Sequence, residues 1–131
     1  MILFDANVLI DVLHRDPVWF DWSSGRVDEF EAVGICINQI IYAEVSIGFP
    51  TPQQCDEALT ASVIRLDLPW EAAFLAGRAF LEYRRRGGSR SAPLPDFYIG
   101  AHAQVAGLKL VTRDATRYRS YFPDIDIVAP N

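Results

Sequence analysis

Four acidic residues, Asp5, Glu44, Asp96 and Asp114, lie far apart along the chain, yet each stands where an apolar strand ends or the following helix begins. In a parallel α/β sheet those places converge on one edge, so residues distant in sequence meet in one pocket. Carboxylates crowded there repel one another and resist joint ionisation unless a hard divalent cation such as Mg²⁺ or Mn²⁺ neutralises them. The pattern therefore predicts a metal centre, and with it phosphodiester chemistry.

Each acid has a chemical and a structural reading. Asp5 ends the run Ile2-Leu3-Phe4 and projects beyond the strand; the neutral Asn7 can hydrogen-bond to it and orient it but cannot donate a proton to a substrate. Asp5 or Asn7 could instead simply cap the next helix. Glu44 interrupts the apolar stretch Ile40-Ile41-Tyr42-Ala43-Glu44-Val45, where an ionised side chain needs solvent or a partner. Its structural alternative is a solvated acid on the outer stripe of an amphipathic helix. Asp96 follows Pro95 in the first turn of a helix, where the macrodipole favours an anion whether or not it does chemistry. Asp114 follows Leu110-Val111-Thr112-Arg113, and the Thr112 hydroxyl could hold an acid or a water. Capping and solvation account for any one acid, but poorly for four at one sheet edge.

The net charge of -5 argues against a nucleic-acid partner until its distribution is considered. Arg84, Arg85, Arg86 and Arg90 precede Asp96, while Arg113, Arg117 and Arg119 surround Asp114. Two divalent ions in the acidic pocket would leave the chain close to neutral. Cys36 and Cys55 are too few for a disulfide framework and lack the spacing of a zinc site. His102, inside an apolar helix, reads as a hydrogen-bonded structural residue, and His14 as a loop residue. Trp19, Phe20 and Trp22 read as core or as an interface for another chain. There is no Gly-rich phosphate loop, no Gly-x-Ser-x-Gly elbow and no Cys/His nucleophile pair.

The elements that must position these residues alternate. Ile2–Phe4, Ile35–Ile37, Leu108–Val111 and Ile127–Val128 are short apolar runs suited to strands buried on both faces, with Val63–Leu68 a weaker candidate. Helical periodicity covers Val8–Leu13, Pro17–Ser23, Gln39–Ile47, Pro52–Ala61, Trp70–Arg86 and Pro95–Ala106. Pro69 and Pro95 open helices; Gly87-Gly88 and Gly107 close them. The expected fold is a three-layer α/β/α sandwich around a central, mostly parallel sheet, as one domain over residues 1–131. No apolar stretch reaches the roughly 20 residues of a membrane span, and the N-terminus has no signal-peptide pattern, so a cytoplasmic protein is expected.

Taken in order, Ile2-Leu3-Phe4-Asp5-Ala6-Asn7-Val8-Leu9-Ile10, Glu44, the Asp96 helix and Leu110-Val111-Thr112-Arg113-Asp114 resemble PIN-domain ribonucleases over nearly the whole chain. The length and the segment Tyr118-Arg119-Ser120-Tyr121-Phe122-Pro123 resemble, more narrowly, the VapC-type toxins of toxin–antitoxin pairs. The resemblance implies an Mg²⁺- or Mn²⁺-dependent endoribonuclease that cuts structured RNA such as tRNA or rRNA, is held inactive by a cognate antitoxin, and forms a homodimer. Carried over residue by residue, Asp5 and Asp96 touch the metal, Glu44 and Asp114 bind it through water or position a second ion, and Asn7 and Thr112 support them. Arg86, Arg90 and Arg113 are then the candidates for RNA contact. Phe97-Tyr98-Ile99-Gly100-Ala101 is bulkier than the usual Asp-x-x-Ile-Ala-Ala, so packing at that helix is expected to differ. The antitoxin is expected on an apolar groove near Trp19, Phe20 and Trp22 or on the long helix from Trp70. A phosphatase with Asp5 as covalent nucleophile would need an acid at position 7 to protonate its leaving group, which Asn7 cannot do. A noncatalytic RNA- or protein-binding module, with the acids as capping groups, is the alternative of another class.

Overall fold

Three short strands, apolar but for Lys109, make the centre of the sheet, and their burial decides where the chain turns. In the computed structural model, which describes all 131 residues, these are β1 (Ile2–Phe4), β2 (Ile35–Ile37) and β4 (Lys109–Val111). Two short strands flank them, β3 (Ile64–Arg65) and β5 (Ile127–Val128), giving the order β3-β2-β1-β4-β5 with every pair parallel. Phe4 is fully buried, which stabilises the fold by about 2–3 kcal/mol and fixes the end of β1.

Seven helices connect the strands: α1 (Ala6–Leu13), α2 (Phe20–Phe30), α3 (Gln39–Ser46), α4 (Pro52–Leu59), α5 (Trp70–Arg85), α6 (Pro95–Ala106) and α7 (Thr116–Tyr121). From β1 the chain travels outward through β2 to β3, then crosses back to β4 on the other side of β1. Right-handed crossovers put connections of opposite direction on opposite faces, which makes the three-layer α/β/α arrangement that the sequence pattern predicts. The strand order reverses between β1 and β4, so the crevice of the sheet opens at their carboxyl ends. None of the helices is long and apolar enough to cross a membrane.

Two departures from the sequence pattern have local causes. The helix expected over Pro17–Ser23 instead runs Phe20–Phe30, because the Asp16 carboxylate accepts from the backbone N–H groups of Val18 (3.0 Å) and Trp19 (2.8 Å) and holds those residues in a turn. Its later half is masked in the sequence by Gly25 and charged residues, yet Val27 and Phe30 pack on the core. The weak strand Val63–Leu68 shrinks to two exposed edge residues.

Helix α6 lies between two apolar clusters: Ile99 and Ala103 join the main core, while Phe97 and Ala101 pack with Ala72, Ala76 and Ala79 of α5 and with Phe122. Pro95 stands in its first turn and Gly107, in the left-handed region at φ 64°, ends it. His102 is buried and its Nδ1 accepts from Asn38 Nδ2 at 3.0 Å, while Asn38 Oδ1 caps α3 by accepting from Ile41 N at 3.0 Å. One asparagine thus ties the helix carrying Glu44 to the helix carrying Asp96.

The close approach of α6 to its neighbours has a testable cost. A Cβ at Gly100 would stand 2.4 Å from Phe122 Cδ2, whereas at Gly25 in α2 it would meet nothing within 4 Å. Gly100→Ala is expected to destabilise the protein by about 1–3 kcal/mol and Gly25→Ala to stabilise it by about 0.5–1 kcal/mol, read by urea denaturation.

Candidate functional site

The pairing of Phe4 with Val111 brings the ends of β1 and β4 side by side, and Asp5 N donates to Val111 O at 2.9 Å. The Asp5 carboxylate is only 5% exposed and accepts three hydrogen bonds: from Ala6 N to Oδ1 (2.8 Å), and from Thr112 Oγ1 (2.9 Å) and Tyr118 Oη (2.8 Å) to Oδ2. Burial nevertheless outweighs these donors and pushes the Asp5 pKa above its ordinary value, with Asp96 adding repulsion. Asp5 is the N-cap residue of α1 as well, so its structural and electrostatic roles coexist.

Asp96, in the first turn of α6, is half-buried; its Oδ2 accepts from Arg117 Nη1 at 3.2 Å and its Oδ1 from Tyr118 Oη at 3.3 Å. Glu44 reaches the same neighbourhood from α3. Its Oε1 is buried with no hydrogen-bond partner, and its pKa is pushed up to about 7, first by burial and then by the charges of Asp5 and Asp96. Asp5, Glu44 and Asp96 therefore form one electrostatic cluster.

Asp114 stands apart. Its side chain is exposed and accepts from Thr116 N at 3.4 Å, while its backbone N–H donates to Thr112 Oγ1 at 3.2 Å. It lines, with Asp96, Thr116, Arg117, Ser120 and Tyr121, an open cleft of about 480 Å³. No three acids present their oxygens to a common point in this arrangement. The Tyr118 hydroxyl and the Arg117 guanidinium sit against the carboxylates instead.

The supporting residues form a relay. Asn7 does not touch Asp5; its Nδ2 donates to Thr112 Oγ1 at 3.3 Å and its Oδ1 accepts from Arg113 N at 3.1 Å, so it acts on Asp5 through Thr112. Arg113, expected at the RNA, is committed inward. Its Nε and Nη2 donate to Asp11 Oδ2 (2.9 Å) and Oδ1 (3.1 Å), and its guanidinium lies over Trp19. Asp11 is 1% exposed and also accepts from Ser23 Oγ at 2.8 Å, so a buried carboxylate requires this arginine. Arg86 donates to Ser120 Oγ at 2.8 Å beside the acidic cleft, and Arg90 is exposed on the loop before α6. Trp19 and Trp22 pack edge to face, with Arg26 over Trp22 and Arg15 over Phe20, so these aromatics are largely covered.

Sequence reasoning missed Tyr118 and Asp11 as contributors. Their partners lie 113 and 102 residues away, and no local periodicity reports such contacts.

A family model described as PIN domain matches residues 2–122. The chain belongs to the PIN domain family. Among solved structures, this PIN domain is similar to a chain of VapBC2 from Rickettsia felis bound to a promoter DNA fragment, at 19% identity, full coverage of both chains and a TM-score of 0.75. A toxin–antitoxin complex from Klebsiella pneumoniae matches at 24% identity over 100% of this chain and 98% of the other, with a TM-score of 0.72. DNA-bound VapBC from Salmonella typhimurium matches at 24% identity over 98% of each chain, with a TM-score of 0.71. These likenesses establish a shared fold across the whole PIN domain. A comparison with curated proteins finds no match.

The raised Glu44 pKa gives a signed pH dependence. Between about pH 4.5 and 7 the unfolded chain loses the Glu44 proton while the folded chain retains it, so stability without metal falls as pH rises through that window. Glu44→Gln is expected to flatten that fall and raise the metal-free Tm at pH 7.5 by roughly 3–6 °C, as measured by calorimetry. Arg113→Ala leaves Asp11 buried and unpaired, and is expected to cost about 3 kcal/mol in urea denaturation.

Proposed function

We propose that residues 1–131 form a single PIN domain that acts as an Mg²⁺- or Mn²⁺-dependent endoribonuclease, the toxin of a VapC-type toxin–antitoxin pair. The observation that carries this reading is the buried, unpartnered Oε1 of Glu44 in the same electrostatic cluster as Asp5 and Asp96. A buried carboxylate oxygen without a donor, on an acid that feels the charges of Asp5 and Asp96, fits a cation better than it fits those neighbours. The donor set is all oxygen, which suits Mg²⁺ or Mn²⁺ and disfavours zinc or copper.

Asp5 and Asp96 would hold the ion directly, with Glu44 as the third acid and Asp114, at the rim, acting through water or on a second ion. A bound divalent ion supplies an acidified water for attack on phosphorus and positive charge against the scissile phosphate. Thr112 fixes Asp5 by donating to Oδ2, and Asn7 in turn holds Thr112. Arg117 already contacts Asp96 in the open cleft and is the arginine best placed to meet an RNA phosphate there, with Arg86 beside it at Ser120 and Arg90 on the loop before α6 as further candidates. Arg113 has an internal task and is not proposed at the RNA.

The structural neighbours include toxin–antitoxin complexes, which supports a cognate antitoxin as partner. The exposed Trp70 (92%) and Phe74 (67%) on α5 leave an apolar face for a protein partner, either that antitoxin or a second copy of the chain. A noncatalytic binding module is the competing reading, favoured by the capping role of Asp5.

Purified protein incubated with structured RNA is expected to cut it in the presence of Mg²⁺ or Mn²⁺, and not after chelation. Asp5→Asn and Asp96→Asn are each expected to slow cleavage on the order of 10³-fold. Cleavage that survives chelator, or wild-type protein that neither binds metal nor cuts any RNA, would reject the nuclease.

A further inference from the structure

We infer that Tyr118 is a positioning residue of the acidic centre, its hydroxyl holding Asp5 and Asp96 together in the arrangement that a divalent cation requires. This depends on the metal-centre reading above and adds to it a residue outside the four acids.

The placement of the hydroxyl carries the inference. Tyr118 Oη lies 2.8 Å from Asp5 Oδ2 and 3.3 Å from Asp96 Oδ1, and these two carboxylates are its hydrogen-bond partners. The other donors to the pair each serve one acid: Ala6 N and Thr112 Oγ1 serve Asp5, and Arg117 serves Asp96. Tyr118 alone spans β1 and α6. Its ring is 1% exposed and belongs to the main apolar core, so the hydroxyl cannot swing away without unpacking α7.

The ring's packing would be satisfied by phenylalanine, and only the hydroxyl meets the acids. A phenol donates one proton, which makes the shorter contact to Asp5 the principal bond and the longer one to Asp96 a shared contact. Asp5 thereby receives two donors on Oδ2 and one on Oδ1, and Oδ1 keeps the freer lone pair for a cation. The hydroxyl also limits how far two mutually repelling carboxylates can separate before an ion arrives. Groups that orient metal-binding side chains by hydrogen bonds typically set metal affinity by 10- to 100-fold.

The test is Mn²⁺ binding, followed by electron paramagnetic resonance of the free ion, in wild type, Tyr118→Phe and a Tyr42→Phe control, whose hydroxyl meets Asp56 and not the acidic centre. Tyr118→Phe is expected to weaken Mn²⁺ binding by about 10- to 100-fold, with RNA cleavage recovering at raised Mn²⁺ and far-UV circular dichroism unchanged. Tyr42→Phe is expected to bind as wild type does. Wild-type protein that binds Mn²⁺, beside a Tyr118→Phe variant that binds it within twofold, would overturn the positioning role and leave the metal centre standing. Wild-type protein that binds no Mn²⁺ would instead remove the metal centre itself. Should Tyr118→Phe fail to fold, proton NMR of wild type decides: the protected Tyr118 hydroxyl resonance is expected to shift on Mg²⁺ addition, and an unmoved resonance overturns the proposal.

Discussion

A carboxylate taken out of water must be given donors or lose its charge, and the structure around Asp5 is organised by that requirement. The side chain is delivered to the sheet edge by β1, whose three apolar residues have nowhere else to be buried. Its donors come from the start of α1, from the residue after β4, and from α7. None of these elements is long. Strand β1 has three residues and α7 has six, so neither is stable by local propensity, and each is held by the packing and hydrogen bonding that also build the site.

Positive charge near this edge is abundant but divided. Arg113 serves the buried Asp11, which fixes α1 against the β4–α7 turn, and Arg117 reaches Asp96 from the solvent side. Neither satisfies Glu44, whose inner oxygen has no donor. The polypeptide thus compensates its buried acids individually where they do structural work and leaves the shared cluster short of positive charge.

Much of this was readable in the sequence, and the reasons are physical. β1, β2 and the end of β4 were legible because strands buried on both faces must be continuous apolar runs, and the ends of α6 because proline and glycine have backbone requirements of their own. Asp5 could be placed because a parallel sheet gathers its strand ends on one side, whereas Glu44, in the second turn of α3, and Asp96, at the start of a helix that follows another helix, are brought towards it by the packing of α3 and α6. The rest was settled by contacts across the fold. Nothing in the local pattern distinguishes an arginine that meets solvent from Arg113, which turns in to Asp11, or marks Asn38 as the link between α3 and α6. The far half of α2 was hidden because a helix with one glycine and several charges looks polar until its core-facing Val27 and Phe30 are seen in place.

The long reach of the Asp5 contacts also bears on when the pocket can exist. Two of its three donors belong to residues 107 and 113 positions further along, so the carboxylate is paired only after β4 has docked beside β1 and α7 has closed over both. Contacts of such separation incur the full entropy of closing the intervening loop and form late in folding. During synthesis, the first acid of the cluster emerges long before the residues that hold it. A nascent or partly folded chain therefore carries an Asp5 that is solvated and unremarkable, and the pocket comes into being together with the completed fold.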